Sequence, residues 1–363
     1  MIIRADAKTF AEAAASAARI AASRATIPIL SHVKIAAADG VVTLTAGDLD
    51  REIELTFAAD VEAAGETTAP AHKLADALRA APKGVVARLE ASPAALKLTA
   101  GRARYALPVL PAADFPAIGQ GGEFAPAMEF PGKVLAADLG EVGHAISTEE
   151  TRYYLHGVFI DAAQADGLRF VATDGHRLMR LDTTVASKAA SVILPAESVK
   201  QFARLAASAE TVSLELSARM VRLTAGAQKL VSKVIDGTFP DYGRVVPTEF
   251  IHRAEFDAAA LTESLARAAV ACAERGQAVA LDFSDGEIGV SARNADGFEA
   301  EDRLECKGGA SVRIGFNAKY LGEAITALAA KRLRLEMGDP QGPAKLSDPD
   351  RGDRFVVLMP VRI

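Results

Sequence analysis

The 363-residue chain has no tryptophan, only two cysteines and few aromatic residues. Two cysteines are too few for a disulfide framework or a four-thiolate zinc site, so we expect Cys272 and Cys306 to stay reduced. No run of about 18 apolar residues occurs, and the first residues lack the basic and apolar regions of a signal peptide. We therefore expect a cytoplasmic protein with no membrane association.

Half of the residues are hydrophobic, 24% are charged, and the formal net charge is −6. This composition supports a large buried core and excludes disordered and fibrous classes. The length favours two or three domains. The acidic balance, taken alone, argues against a protein that holds nucleic acid by its net charge.

The chain contains an internal repeat. Leu98-Thr99-Ala100-Gly101 returns as Leu223-Thr224-Ala225-Gly226. Three further pairs of segments have nearly the same offset and keep the same order along the chain: Ala46-Gly47-Asp48 with Ala172-Thr173-Asp174, Pro70-Ala71 with Pro195-Ala196, and Phe115-Pro116 with Phe239-Pro240. A more diverged third copy places Leu333–Met337 where the second has Val212–Leu216. Three units of about 121 residues each therefore fill the chain.

Each repeat has the same order of secondary-structure signals. An amphipathic, Ala-rich segment comes first, alternating strands follow, and a second helical segment precedes more strands. The predicted helices are Ala5–Ser23, Ala71–Ala80, Lys133–Ser147, Ala196–Ala207, Asp257–Arg275 and Asn317–Ala329. Asp-Gly pairs at 39–40, 166–167 and 285–286 predict hairpins. The pattern predicts an α+β fold of three domains, 1–122, 126–248 and 252–363, each with two helices and about eight antiparallel strands.

One short segment, Asp174-Gly175-His176-Arg177, admits an enzymatic interpretation. His176 could act as a general base with Asp174 as its orienting group, as in a small-molecule hydrolase. Asp-Gly is first of all turn chemistry, however, and the sequence has no nucleophile elbow, phosphate-binding loop or His-Glu-x-x-His motif. The other histidines lack ligand spacing. We expect no catalytic site, no metal and no cofactor.

Motifs along the whole chain carry a family resemblance. They are Arg24–Leu30, Leu110–Pro116, Thr151–Leu155, Ala172–Leu178, Phe239–Tyr242, Gly315–Asn317 and Val356–Ile363. Together, and in this order, they resemble the β subunit of bacterial DNA polymerase III, the sliding clamp family. The resemblance implies three DNA-clamp domains per chain and a six-domain ring formed head to tail by a homodimer.

The resemblance also implies a function without catalysis. A clamp of this family encircles duplex DNA without sequence preference and tethers the replicative polymerase, so an acidic chain presents no difficulty. The implied DNA contacts are Arg24, Arg152, Tyr153 and Tyr154. Glu149, where the family often has glutamine, is left out because a carboxylate does not favour phosphate.

A pocket for partner peptides of the Gln-Leu-x-Leu-Phe kind is implied at the junction of the second and third domains. Its implied floor is formed by Leu155, Thr173, Leu178, Pro240, Val245, Val357 and Met359. Its implied walls and rim, which include the basic groups, are formed by Gly175, His176, Arg177, Arg244, Pro360, Val361 and Arg362. Gly243, Val361 and Pro343 depart from the family pattern, so peptide preference is expected to differ. Implied partners are the polymerase III alpha and clamp-loader subunits, other clamp-motif polymerases and repair proteins.

For the joint between two chains, the resemblance points to Lys73, Asp76, Tyr105, Val270 and Ala271. Arg102 and Arg104 flank the first surface and could pair with Glu299 or Glu301 of the other chain. A head-to-tail contact closes into a ring only if the rotation per chain is right. The alternative to a DNA clamp is a repeat scaffold that binds proteins without DNA.

Overall fold

A computed structural model describes residues 1–118, 122–272, 278–308 and 311–363. The described residues form six α-helices and 25 β-strands, with two helices in each of the three repeats. The helices are α1 Ala7–Ala18, α2 Ala71–Arg79, α3 Gly132–Gly143, α4 Ala196–Ala206, α5 Ala258–Ala268 and α6 Ala318–Leu328. None of these helices is long and apolar enough to span a membrane.

The strands follow the repeats in groups of nine, eight and eight. The first group is β1 Ile2–Asp6, β2 His32–Ala38, β3 Val41–Gly47, β4 Arg51–Ala58, β5 Asp60–Ala63, β6 Gly65–Pro70, β7 Val86–Ala91, β8 Leu96–Ala100 and β9 Ala103–Leu107. The second is β10 Met128–Pro131, β11 Gly157–Asp161, β12 Arg169–Thr173, β13 Arg177–Asp182, β14 Val192–Pro195, β15 Thr211–Leu216, β16 Met220–Ala225 and β17 Gln228–Lys233. The third is β18 His252–Asp257, β19 Ala278–Ser284, β20 Glu287–Arg293, β21 Glu299–Lys307, β22 Val312–Asn317, β23 Arg332–Met337, β24 Ala344–Ser347 and β25 Arg354–Leu358.

The chain divides into two compact units. Unit 1 consists of Met1–Leu135 and Arg204–Val234, and unit 2 of Ala136–Ala203 and Ile235–Ile363. Unit 1 contains a five-stranded sheet, β5-β1-β7-β8-β9, and an eight-stranded sheet, β10-β15-β16-β17-β4-β3-β2-β6. Unit 2 contains one twelve-stranded sheet, β14-β11-β12-β13-β25-β24-β23-β18-β21-β20-β19-β22. The described strand pairs are antiparallel, as the sequence predicts.

Strands from different repeats join within each of the large sheets. In unit 1, β4 of the first repeat pairs with β17 of the second. In unit 2, β13 of the second repeat pairs with β25 of the third. The sheets therefore continue from one repeat into the next, which places residues distant in sequence side by side.

The observed helices α1 and α5 begin later than the sequence predicts, and the caps at their N-terminal ends explain why. Ala5 belongs to β1, because the Asp6 side chain accepts a hydrogen bond from the Thr9 N–H at 2.8 Å and caps α1. Asp257 caps α5 in the same way, through the Ala260 N–H at 2.8 Å. The helix ends at Ala268, and the predicted end at Arg275 lies outside the described residues.

The repeated Leu-Thr-Ala-Gly motif has one structural role in both copies. It completes a strand, β8 or β16, and its glycine starts the turn to the next strand. Gly101 and Gly226 have φ values of +63° and +56°, which non-glycine residues rarely adopt. The repeat found in the sequence is thus a repeat of backbone geometry.

Candidate partner-binding site

Three of the predicted floor residues form a row across neighbouring strands of unit 2. Thr173 on β12 lies opposite Leu178 on β13, and Leu178 lies opposite Val357 on β25. Directly opposed residues on antiparallel strands have Cβ atoms about 5 Å apart. The sheet therefore brings together positions from two repeats.

The row belongs to a larger apolar cluster of buried side chains. The cluster consists of Leu155, Val171, Leu178, Ile193, Phe239, Phe355 and Val357. Three predicted floor residues are members, and Phe239 is the neighbour of a fourth, Pro240. Val245 and Met359 are 44% and 38% exposed, so they offer apolar surface to a ligand. Because its members are buried and packed together, the cluster provides a well-packed floor for the predicted pocket.

Four members of the apolar cluster were missed by the sequence prediction. Phe239 stands beside Pro240 in the Phe-Pro motif, and that adjacency was the available signal. Val171, Ile193 and Phe355 lie in runs of at least three consecutive buried residues, so alternation does not mark which face they occupy.

The segment Asp174–Arg177 forms a turn at one wall of the predicted peptide pocket. Asp174 Oδ1 accepts hydrogen bonds from the N–H groups of His176 at 2.8 Å and Arg177 at 3.0 Å. Thr173 Oγ1 donates to the Arg177 carbonyl at 2.7 Å, and Gly175 supplies a φ of +89°. The Asp174 carboxylate is thus occupied by the backbone and does not orient the His176 ring, so this geometry gives the hydrolase alternative no support.

Arg177 differs from its predicted place on a basic rim. Its side chain is only 8% exposed and forms ion pairs with Asp174 at 3.1 Å and with Glu323 of α6. Its guanidinium carbon lies 4.5 Å from the ring centre of Tyr320, which also lies 6.1 Å from the His176 ring. Arg177 is therefore a buried link between β13 and α6, and the exposed side chain of this wall is His176.

The C-terminal residues continue beyond β25 along the same wall. The Met359 N–H donates to the His176 carbonyl at 2.9 Å, and the Val361 N–H donates to the Gly315 carbonyl at 2.9 Å. These two bonds hold Met359 beside His176 and leave Pro360 half-buried. Of the predicted basic rim residues, Arg244 and Arg362 are exposed.

An acidic cluster surrounds Arg354 at the start of β25. The Arg354 side chain is buried and contacts Asp138 at 3.3 Å, Asp353 at 3.0 Å, and Glu141. Burial raises the pKa of Asp138 to about 6, although the Arg354 guanidinium pulls it the other way. Burial also raises the pKa of Glu141. This network ties α3 to the strand that carries Val357.

The predicted DNA contacts lie in two separate segments. Arg24 is exposed in unit 1, before a short 3-10 turn. Arg152, Tyr153 and Tyr154 lie in the 3-10 turn Glu150–Leu155 of unit 2. The Arg152 Nε donates to Glu149 at 2.7 Å and lowers the pKa of that carboxyl.

The two tyrosines differ in exposure. Tyr153 is 54% exposed, whereas Tyr154 packs against the apolar cluster. Their rings meet edge to face at 5.7 Å. Tyr153 is therefore the better placed of the two for an external ligand.

The predicted dimer residues also fall into two segments. Lys73 and Asp76 are exposed on α2, and Asp76 pairs with Arg79 at 3.0 Å. Tyr105 is half-buried on β9. Val270 is 70% exposed, but Ala271 is fully buried in its own chain, so only Val270 of this pair has a side chain accessible at the surface.

Three repeats of two helices and antiparallel strands, joined by shared sheets, agree with the three-domain clamp architecture that the sequence resemblance implies. Family comparison agrees over almost the whole chain. Residues 1–119, 129–241 and 243–362 match the N-terminal, central and C-terminal domains of the DNA polymerase III beta subunit. The chain belongs to this family.

Individual relatives give the same result. The chain is 37% identical over 351 residues to the beta sliding clamp of Caulobacter vibrioides and 30% identical over 347 residues to that of Escherichia coli K12, covering 94% of each chain. A crystal structure of the Caulobacter crescentus clamp matches with a TM-score of 0.95 at 35% identity. The clamp of Bartonella birtlesii, solved with griselimycin bound, matches with a TM-score of 0.94 at 33% identity. Both structural matches cover all of both chains.

The family settles the class of function. The protein is a DNA sliding clamp of bacterial replication, a non-catalytic subunit, and the scaffold alternative is not favoured. Membership implies a ring dimer with DNA and a polymerase as partners. The domain limits 1–122, 126–248 and 252–363 and the individual contact residues stay predictions.

Proposed function

We propose that two copies of this chain close head to tail around duplex DNA in the cytoplasm and tether partners by a short apolar peptide motif. The partners are the polymerase III alpha subunit, clamp-loader subunits, and other polymerases and repair proteins. The observation that best supports the peptide pocket is the apolar cluster. The exposed Val245 is next in sequence to Val246, which packs against this cluster, and the exposed Met359 follows β25, which carries Val357.

The size of this apolar surface suits exchange between partners. Burying one Leu and one Phe of a motif contributes about 1.5–3 kcal/mol each. A micromolar complex needs about 8 kcal/mol, so hydrogen bonds must supply the remainder. Polar groups at the wall, such as the exposed His176 and the Arg244 guanidinium, are the available donors. We expect modest affinity and rapid exchange.

The test is binding of a labelled Gln-Leu-x-Leu-Phe peptide to the purified protein. Saturable micromolar binding by the wild type, lost in a Leu178→Ala, Met359→Ala variant, supports the pocket. Leu98→Ala is the control for the Leu178 substitution, because Leu98 is as deeply buried as Leu178 but lies on β8 of unit 1. Equal binding by the wild type and the pocket variant would contradict the assignment.

Two strand edges support the proposed joint between chains. In the part of the chain that the structure describes, β9 pairs only with β8, and residues 299–305 of β21 pair only with β20. The first edge carries Arg104, with Arg102 in the turn before it, and the second carries Glu299 and Glu301, all exposed. Adding one edge to the other would extend both sheets and match opposite charges.

The joint is tested by charge reversal. Native mass should be that of a dimer for the wild type, and Arg104→Glu should shift it towards a monomer. Glu301→Arg in the same chain should restore part of the dimer. A monomeric wild type at working concentrations would overturn the ring.

DNA contact is tested by topology. A loaded clamp should stay on nicked circular DNA and leave it after linearisation, with a clamp-loading ATPase supplied. Replacing Arg24 by alanine should weaken retention at raised salt while leaving peptide binding unchanged, because phosphate contacts are salt-dependent and Arg24 lies in unit 1. Retention that does not depend on DNA topology would exclude an encircling ring.

A further inference from the structure

The turn that forms one wall of the peptide site occurs a second time, in unit 1. Asp48 Oδ1 accepts from the Arg51 N–H at 2.7 Å, and Asp48 Oδ2 accepts from Arg51 Nε at 3.0 Å. In unit 2 the same two bonds join Asp174 to Arg177, at 3.0 Å and 3.1 Å. Both turns therefore close through the same carboxylate-to-arginine contacts.

The residue after each aspartate has a left-handed backbone. In unit 2 it is Gly175, with φ +89°, and in unit 1 it is Leu49, with φ +77°. A leucine rarely adopts this conformation. The turn in unit 1 thus keeps the geometry of the peptide-site turn even where the residue does not favour it.

The strand pairing next to the two turns also corresponds. Glu52 on β4 lies opposite Val231 on β17, as Leu178 on β13 lies opposite Val357 on β25. These pairs are the centre of the equivalent rows. Unit 1 therefore contains the backbone of the peptide site, built from the first and second repeats.

One further backbone bond fixes the correspondence. The Lys233 N–H donates to the Asp50 carbonyl at 2.8 Å, just beyond the end of the pairing between β4 and β17. The Met359 N–H donates to the His176 carbonyl at 2.9 Å in unit 2. Lys233 thus takes the place of Met359, and a charged end group replaces an apolar one.

The side chains of the apolar cluster are not kept in unit 1. At matching positions 124 to 126 residues earlier, four of the seven cluster members become polar. Thr45 replaces Val171, Glu52 replaces Leu178, Thr68 replaces Ile193 and Lys229 replaces Phe355. The same framework therefore presents two charges and two hydroxyls where the peptide site is apolar.

The two charged groups already have partners within unit 1. Glu52 Oε2 accepts from the Ile118 N–H at 3.0 Å, and the Lys229 ammonium pairs with Glu54 at 3.2 Å. An apolar ligand would remove these groups from water and offer no hydrogen bond in return, which is costly. A leucine or phenylalanine side chain is therefore rejected at this position.

We infer that Glu52 and Lys229 prevent the apolar motif from binding to the second copy of the peptide-site backbone, in unit 1. Each chain therefore binds the motif at one site, although its fold contains the backbone of that site twice. The inference rests on the proposed peptide pocket in unit 2. It assigns to these two residues a role in specificity, since they exclude the motif from unit 1.

The first test counts sites by calorimetric titration with the Gln-Leu-x-Leu-Phe peptide. The wild type should bind one peptide per chain, and Leu178→Glu should lower the affinity at least about 100-fold, the scale of placing a charge against buried apolar groups. Two sites in the wild type, or one site surviving in Leu178→Glu, would overturn the inference. No binding by the wild type would instead overturn the proposed pocket, and the inference with it.

The second test restores apolar side chains at the corresponding positions of unit 1. In the Leu178→Glu background, Glu52→Leu with Lys229→Phe should restore one saturable site, at least about tenfold tighter than the parent. The same two substitutions without Leu178→Glu should give two sites per chain. A folded variant with no gain would overturn the inference.

A third test uses the wild type and does not depend on the folding of the substituted chains. A peptide with a photoreactive group should label unit 2 alone. Labelling of β4 or β17 would show that unit 1 is open despite its charges, and would overturn the inference.

Discussion

Protonation of Asp138 should change the stability of unit 2 between pH 4 and pH 7. Burial raises the pKa of this carboxyl from 3.8 to about 6, against the pull of Arg354. A carboxyl whose pKa rises on folding stabilises the fold below its unfolded pKa, and that contribution is lost as the pH rises through the folded pKa. We therefore expect Asp138 to make unit 2 less stable at pH 7 than at pH 4.

The size of this effect follows from the pKa change. A rise from 3.8 to about 6 corresponds to about 3 kcal/mol, at 1.36 kcal/mol per pKa unit. Glu141 has a raised pKa and adds to the loss with the same sign. Asp353 has the opposite sign: burial opposes its ionisation, but hydrogen bonds from Arg354 and Arg351 lower its pKa overall.

Asp138→Asn isolates one carboxyl from this network. The amide oxygen can still accept from Arg354, which keeps its contacts with Glu141 and Asp353. Urea unfolding of the wild type and the variant should be compared at pH 4, 5, 6 and 7. Relative to the variant, the wild type should lose about 2 kcal/mol between pH 4 and pH 7, because pH 4 lies slightly above the unfolded pKa and the full effect is not reached there.

Asp166→Asn, which removes an exposed carboxylate, is the matched control and should leave the pH profile almost unchanged. Equal pH dependence in the wild type and Asp138→Asn would refute the reasoning. It would mean that Arg354 stabilises the Asp138 carboxylate as much as burial opposes it.

Four further substitutions test local features of the fold. Leu49→Gly should raise the free energy of unfolding by about 1 kcal/mol, seen as a higher denaturation midpoint, because the left-handed backbone is strained for leucine. Gly175→Ala should lower the melting temperature, because alanine disfavours the φ of +89° at this position and its Cβ would meet the Arg152 guanidinium. Phe239→Ala should cost about 3–5 kcal/mol and abolish peptide binding in the same preparation. Asp257→Ala should cost about 1 kcal/mol and increase amide exchange in the first turn of α5.

The sequence predicted the fold well wherever a local signal determines local geometry. Asp39-Gly40 forms a two-residue turn between β2 and β3, with both residues left-handed. Asp285-Gly286 connects β19 and β20 in the same number of residues. The pair 166–167 lies instead within a longer connection, 162–168, because β11 ends at Asp161. An Asp-Gly signal marks a turn but does not fix how much chain surrounds it.

The candidate site was less accessible to sequence reasoning, because its contacts are long-range. Arg177 looked like a surface charge, yet its partner Glu323 is 146 residues away, and no local pattern indicates that pair. Phe355 was missed since every residue of β25 is buried and the strand has no alternation. The row through Thr173 and Leu178 came from family resemblance rather than from periodicity.

The sheets that run from one repeat into the next have a mechanical consequence. β4 with β17, and β13 with β25, are antiparallel ladders of five residue pairs each. A force directed along such strands loads all the hydrogen bonds of a ladder together, whereas a force directed across them opens the bonds one after another. The joints between repeats should therefore resist shear far better than peeling. Stretching single molecules between cysteine attachment points placed along or across β25 would measure this directional stiffness.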